Sequence, residues 1–163
     1  MSREWFLADP VATDGFAARM ARTLPERAVL FLRGELGAGK SSLARGMLRA
    51  LGVNGAIKSP TYTLIERYTL DRGEAAHLDL YRIAQSGELE FLGLQDLAPE
   101  LRLWLVEWPE RGKGALPQPD IEVGLRVEGE GRQARLEAHS LVGRGWLEAL
   151  AGEPGQSSLE RPS

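Results

Sequence analysis

At 163 residues, with 43% hydrophobic and 26% charged side chains, the chain has the size and makeup of one globular domain, which excludes a disordered chain, a fibrous repeat and a membrane protein. Its formal charge of −3 argues against an autonomous binder of nucleic acid or anionic lipid. The lack of cysteine removes disulfides and thiolate metal sites and fits the cytoplasm.

The opening stretch, Met1 to Pro10, lacks the apolar core of a secretory signal. Thr13 is placed to cap a helix carrying Phe16, Met20 and Leu24, which Pro25 ends. Val29-Leu-Phe-Leu32 reads as a strand buried on both faces, and even the longer run from Ala28 is far too short to span a bilayer. Ser41 to Leu51 is an amphipathic helix with Leu43, Met47 and Leu51 on one stripe, closed by Gly52. Tyr62 to Leu70 and Ala75 to Leu80 flank the turn residues Asp71-Arg-Gly-Glu74, which suggests a hairpin whose second strand ends near Asp79.

Leu101 to Val106 reads as another buried strand, and the Gly- and Pro-rich stretch Arg111 to Pro119 as a mobile loop. Ile121, Val123, Leu125 and Val127 alternate with polar or glycine positions, and the alternation resumes at Ala134, Leu136 and Ala138, the pattern of an antiparallel edge hairpin. Gly145 to Leu150 makes a short last helix, and 152–163 reads as a disordered tail. The expected organisation is therefore one domain over residues 1–151.

Gly34-Glu-Leu-Gly-Ala-Gly-Lys-Ser41 matches G-x-x-x-x-G-K-[ST] between a buried strand and an amphipathic helix, the context a phosphate-binding loop requires. Gly34, Gly37 and Gly39 let main-chain N–H groups turn round a phosphate, and the helix beginning near Lys40 directs its positive end at the same anion. Lys40 would reach the outer phosphates and the Ser41 hydroxyl would ligate Mg2+. Acids are expected at the carboxyl ends of neighbouring strands, where Asp79 and Glu107 stand. Either carboxylate can hold the metal or position the attacking water. Ser59-Pro60-Thr61 lies where a phosphate-sensing loop would be, and a hydroxyl from Thr61 or Thr63 can approach the metal. His77, alternating with Asp79, reads as a hydrogen-bonded structural residue rather than a base, and Trp108 as a rim residue able to stack on a base or a partner.

Four stretches in this order, Gly34-Glu-Leu-Gly-Ala-Gly-Lys-Ser-Ser42, Lys58-Ser-Pro-Thr-Tyr-Thr-Leu64, His77-Leu-Asp-Leu-Tyr-Arg82 and Leu105-Val-Glu-Trp-Pro109, resemble the TsaE (YjeE) family, small ATPases of bacterial tRNA threonylcarbamoyladenosine modification. The resemblance implies an α/β, P-loop NTPase-like three-layer fold with a mixed parallel and antiparallel central sheet, binding ATP and Mg2+. It implies work beside TsaB and TsaD, with tRNA reached only through their complex, and slow turnover without those partners. The loop residues Glu35, Leu36, Ala38 and Ser42 join the nucleotide site under this resemblance. Ser59, Pro60, Thr61 and Thr63 form a switch, Asp79 is tied to hydrolysis, Glu107 is a metal-site acid, and Trp108 borders the nucleotide. Ser41 and Ser42 replace the family's usual threonines and Tyr62 its phenylalanine. A small-molecule kinase with Arg111-Gly-Lys-Gly114 as a meagre lid, or a nucleotide-dependent docking module, are the other readings.

Overall fold

A computed structural model describes residues 1–60, 63–83, 101–153 and 160–162. Among them lie strands β1 (Ser2–Leu7), β2 (Ala28–Arg33), β3 (Ile65–Thr69), β4 (Glu74–Asp79), β5 (Leu103–Glu107), β6 (Ile121–Glu128), β7 (Gly131–Ala138) and β8 (Glu160–Pro162), and helices α1 (Pro10–Arg22), α2 (Lys40–Ala50) and α3 (Leu141–Ala151). One mixed sheet runs in the order β3-β4-β5-β2-β6-β7-β1-β8. β4, β5, β2 and β6 are parallel neighbours, while β3 and the β7-β1-β8 side are antiparallel.

The apolar run of β2 explains its central place. Successive side chains point to opposite faces, and both faces are dry. Leu30 and Leu32 join a core with Phe16 and Met20 of α1, Leu43 and Met47 of α2, and Trp146 and Leu147 of α3. Phe31 faces the other way, into a second cluster with Leu78, Trp104 and Val106. A fully buried leucine contributes about 1.5–3 kcal/mol. The loop after β2 therefore departs from the most firmly packed part of the sheet.

Several boundaries differ from the sequence reading. Asp9, not Thr13, caps α1: its Oδ1 accepts from the Ala12 amide at 2.8 Å, and Pro10 takes the first helical position, where a missing N–H costs nothing. β1 was not expected; Trp5 and Leu7 face the core on it, and Asp9-Pro10 stops it. The β6-β7 hairpin is interior rather than at an edge, because β2 lies on one side of it and β1 on the other. Alternation reports that one sheet face is wet, not whether a strand's rims are paired. That wet face carries the ion pairs Arg33–Glu122 at 3.1 Å and Arg135–Glu4 at 3.5 Å. Of the stretch read as a tail, Glu160–Pro162 pairs with β1. The loop after Glu107 opens with a 3-10 turn over Pro109–Gly112.

α3 begins earlier than expected, because Ser140 caps it by accepting from the Gly143 amide at 2.9 Å. The same hydroxyl donates to Asp120 Oδ1 at 2.7 Å, and Asp120 Oδ2 accepts from the Val29 amide at 2.8 Å, tying α3 to the start of β2. A Cβ on Gly143 would stand 1.9 Å from the Asp120 carbonyl oxygen. Gly143→Ala is expected to lower unfolding stability by about 1–3 kcal/mol through this overlap, read from a shifted urea midpoint at constant slope.

Candidate nucleotide site

β2 ends at Arg33 and the chain is helical again from Lys40. At Gly34 a Cβ would lie 2.5 Å from the Leu125 carbonyl oxygen, so only glycine lets the loop leave β2 this close to β6. The Ala38 amide donates to the Glu35 carbonyl at 3.0 Å, and Gly37 and Gly39 take positive φ, which folds the loop back over the head of α2. No side chain caps α2, so its first-turn amides and the positive end of its dipole face this loop. Such a concavity is an anion receptor.

Lys40 is buried, and its ammonium donates to the Gly34 carbonyl and, at 3.0 Å, to that of Glu35. Nζ also stands 4.4 Å from the centre of the Trp108 ring, a cation–π contact. Burial pushes the ammonium below the usual lysine range, opposed by Glu107, Asp79 and Glu110. Trp108 is held at φ 57°, a backbone position rare for a bulky residue, and its ring tilts against Tyr81 at 4.9 Å. Among the described residues the ammonium bonds to carbonyls and a ring face and pairs directly with no carboxylate, and a phosphate would supply that anion.

The acids meet at the ends of β4 and β5. In that parallel pair Asp79 is in register with Glu107, and both are buried. The Ser41 hydroxyl donates to the Glu107 carboxylate, at 3.1 Å to Oε1 and 3.2 Å to Oε2. His77, two residues before Asp79 and on the same face, places Nε2 2.6 Å from Glu107 Oε2. Asp79 Oδ1 accepts from the Tyr81 amide at 3.1 Å. Because the carboxylate stands between serine and histidine, His77 cannot take the Ser41 proton, and the cluster is not built for a seryl nucleophile. Among the described residues no three His, Cys, Asp or Glu side chains form a closed metal centre. A hydroxyl beside one or two carboxylates is instead a hard-oxygen set that suits Mg2+, which completes its shell with water and phosphate oxygens.

The expected switch is partly outside the described residues, which omit Thr61. Ser59 is exposed and Pro60 buried. Thr63 donates to Glu66 at 2.9 Å and does not line the cavity around Lys40, so its hydroxyl is engaged elsewhere than at the Ser41–Glu107 pair. The segment nevertheless reaches the acids through the backbone. Leu64, at φ 69°, accepts from the Asp79 amide at 3.0 Å.

Leu36, Gly37, Gly39, Lys40, Ser41 and Ser42 line a cavity of about 370 Å3 together with Asp79, Glu107 and Trp108. Tyr81, Arg82 and Arg132 line it too, with no role assigned from sequence. Tyr81 and Arg82 directly follow the Asp79 strand, so position alone was the available signal. Arg132 had none: it donates to the Gly37 carbonyl at 3.3 Å only because β7 folds back along β6 beside the loop. A neighbouring cavity of about 810 Å3 between α1 and α2 shares Gly39, Ser42 and Arg132 with the first.

Residues 7–135 match the family described as threonylcarbamoyl adenosine biosynthesis protein TsaE. A Haemophilus influenzae protein named tRNA threonylcarbamoyladenosine biosynthesis protein TsaE is 40% identical over 137 residues, 83% of this chain and 87% of its own length. A Synechocystis protein of the same name is 41% identical over 126 residues, 72% and 74% of the two chains. The crystal structure of Bacillus subtilis YdiB superposes with a TM-score of 0.79 at 26% identity, covering 93% of this chain and 95% of that one.

Proposed function

The chain belongs to the TsaE family of threonylcarbamoyl adenosine biosynthesis proteins, and from that premise we propose that it is a Mg2+-dependent ATPase of tRNA threonylcarbamoyladenosine modification. One observation carries the reading: Lys40, the Ser41–Glu107 pair and Asp79 converge on the uncapped head of α2. The phosphates bind the loop amides and Lys40, and the larger cavity beside Gly39 and Arg132 has room for the nucleoside. Ser41 and Glu107 would hold the Mg2+, which when bound would supply charge neutralisation for the transferring phosphoryl group. Asp79 is the other buried carboxylate among the described residues, and it orients the attacking water.

In this reading the protein works in the cytoplasm with TsaB and TsaD and resets their complex between rounds of modification, meeting tRNA only through them. Among the described residues no helix is long and apolar enough to cross a membrane. Steady-state ATP hydrolysis is expected to be slow for the chain alone and to rise when TsaB and TsaD are added, with labelled phosphate appearing as free phosphate rather than on a metabolite. Fast, unstimulated turnover would contradict the coupling, and transfer to a small molecule would make the protein a kinase. Mg·ATP is also expected to change the emission of Trp108, because a phosphate draws Lys40 from its ring while Trp5, Trp104 and Trp146 stay in the packed interior. Trp108→Phe is expected to abolish that change.

A further inference from the structure

Among the described residues His77 is the one buried ionisable group at the site for which the reading above has no use. It is 1% exposed, on the same face of β4 as Asp79, and in register with Leu105 of β5 two residues before Glu107. Its Nε2 meets Glu107 Oε2 at 2.6 Å, whereas its Nδ1 has no hydrogen-bond partner among the described residues. A carboxylate can only accept, so the ring donates from Nε2 to Glu107. A glutamate side chain turns about three torsions, and a short bond to a ring held in a packed strand restrains where they place the carboxylate.

From this geometry we infer that His77 is the positioning residue of the metal carboxylate: it holds Glu107 in the orientation in which both oxygens reach the Ser41 hydroxyl. The inference rests on the proposed reading of Ser41 and Glu107 as the Mg2+ ligands and adds the residue that orients them. The imidazole does not line the cavity around Lys40, so its effect is on how tightly the hydroxyl–carboxylate pair takes up a divalent cation. Partners of this kind commonly change metal affinity 10- to 100-fold when removed.

The test compares His77→Leu, which fills the space without a donor, with His77→Gln, whose amide nitrogen stands near the position of Nε2. ATP binding is measured by calorimetry at low temperature, first in EDTA and then across a Mg2+ titration, with thermal melts alongside. For His77→Leu the Mg2+ concentration giving half-maximal enhancement of ATP binding is expected to rise at least tenfold, while metal-free ATP affinity stays within about twofold. His77→Gln is expected to recover the Mg2+ response to within about threefold of the parent. If the leucine variant does not fold, His77→Asn, whose shorter amide falls an atom short of Glu107, replaces it with the same expectation.

An unchanged Mg2+ midpoint in a folded variant lacking the donor overturns the inference. So does an equal loss of metal-free and metal-dependent binding that glutamine does not repair, since that describes a packing role only. A parent protein that binds ATP with no response to Mg2+ overturns instead the assignment of Ser41 and Glu107, and the inference with it.

Discussion

Asp79→Asn is expected to lower ATP turnover by about two to four orders of magnitude while leaving Mg·ATP affinity within a few-fold of the parent. The separation follows from what the side chain does in the structure. Asp79 Oδ1 accepts from the Tyr81 amide, and the Oδ1 of an asparagine accepts the same bond, so the turn that carries Tyr81 and Arg82 past the cavity is kept. What the substitution removes is the charge and basicity of a buried carboxylate beside the Ser41–Glu107 pair. Single-turnover measurement of the chemical step, with a separate binding isotherm, reads the two effects independently. A variant that hydrolyses ATP at the parent rate removes Asp79 from the chemistry. One that loses binding and turnover together makes it a phosphate or metal ligand instead.

The second large effect is on binding. Lys40→Met keeps most of the aliphatic stem and deletes the ammonium. A charged hydrogen bond to phosphate is worth about 1.5–3 kcal/mol, so ATP affinity is expected to fall roughly 10- to 150-fold. The ammonium sits against the Gly34 and Glu35 carbonyls and the Trp108 face, in a place where burial already disfavours its charge. It is thus held ready for an anion at a standing cost to the unliganded protein. A melting temperature that does not fall in the methionine variant assigns the loss to binding rather than folding, and undiminished affinity would show that the loop amides alone hold the triphosphate.

These two residues differ in how far the sequence revealed them. Lys40 was legible because everything that positions it is local: a buried strand, glycines at fixed spacing and a helix start within about a dozen residues. Asp79 and Glu107 were legible as acids at the ends of strands near one metal, but their register was not. Their adjacency depends on β4 and β5 pairing in parallel across an intervening stretch of chain, and nothing in either segment encodes that register. The Ser41–Glu107–His77 series was hidden for the same reason, and His77 alone was correctly read as hydrogen-bonded without its partner being known. Arg132 was out of reach, since its approach to Gly37 requires the whole order β2-β6-β7.

The misplaced elements have local physical causes. Thr13 offers a capping hydroxyl, but Asp9 caps α1 one turn earlier, and the Asp-Pro pair at 9–10 carries that signal. The alternation of β6 and β7 suggests an edge, but it reports exposure of a sheet face and not of a strand rim. β1 has a weak sequence signal because Trp5 and Leu7 supply only two inward positions before Asp9 and Pro10 end the strand.

The central claim is that the loop from Gly34 to Ser41 closes round a magnesium-bound triphosphate, and calorimetric titration of the purified, folded chain with Mg·ATP tests it most directly. The predicted result is a saturable isotherm of one nucleotide per chain, weakened in Lys40→Met and in EDTA. A flat titration up to millimolar Mg·ATP, with the protein shown to be folded, would contradict it.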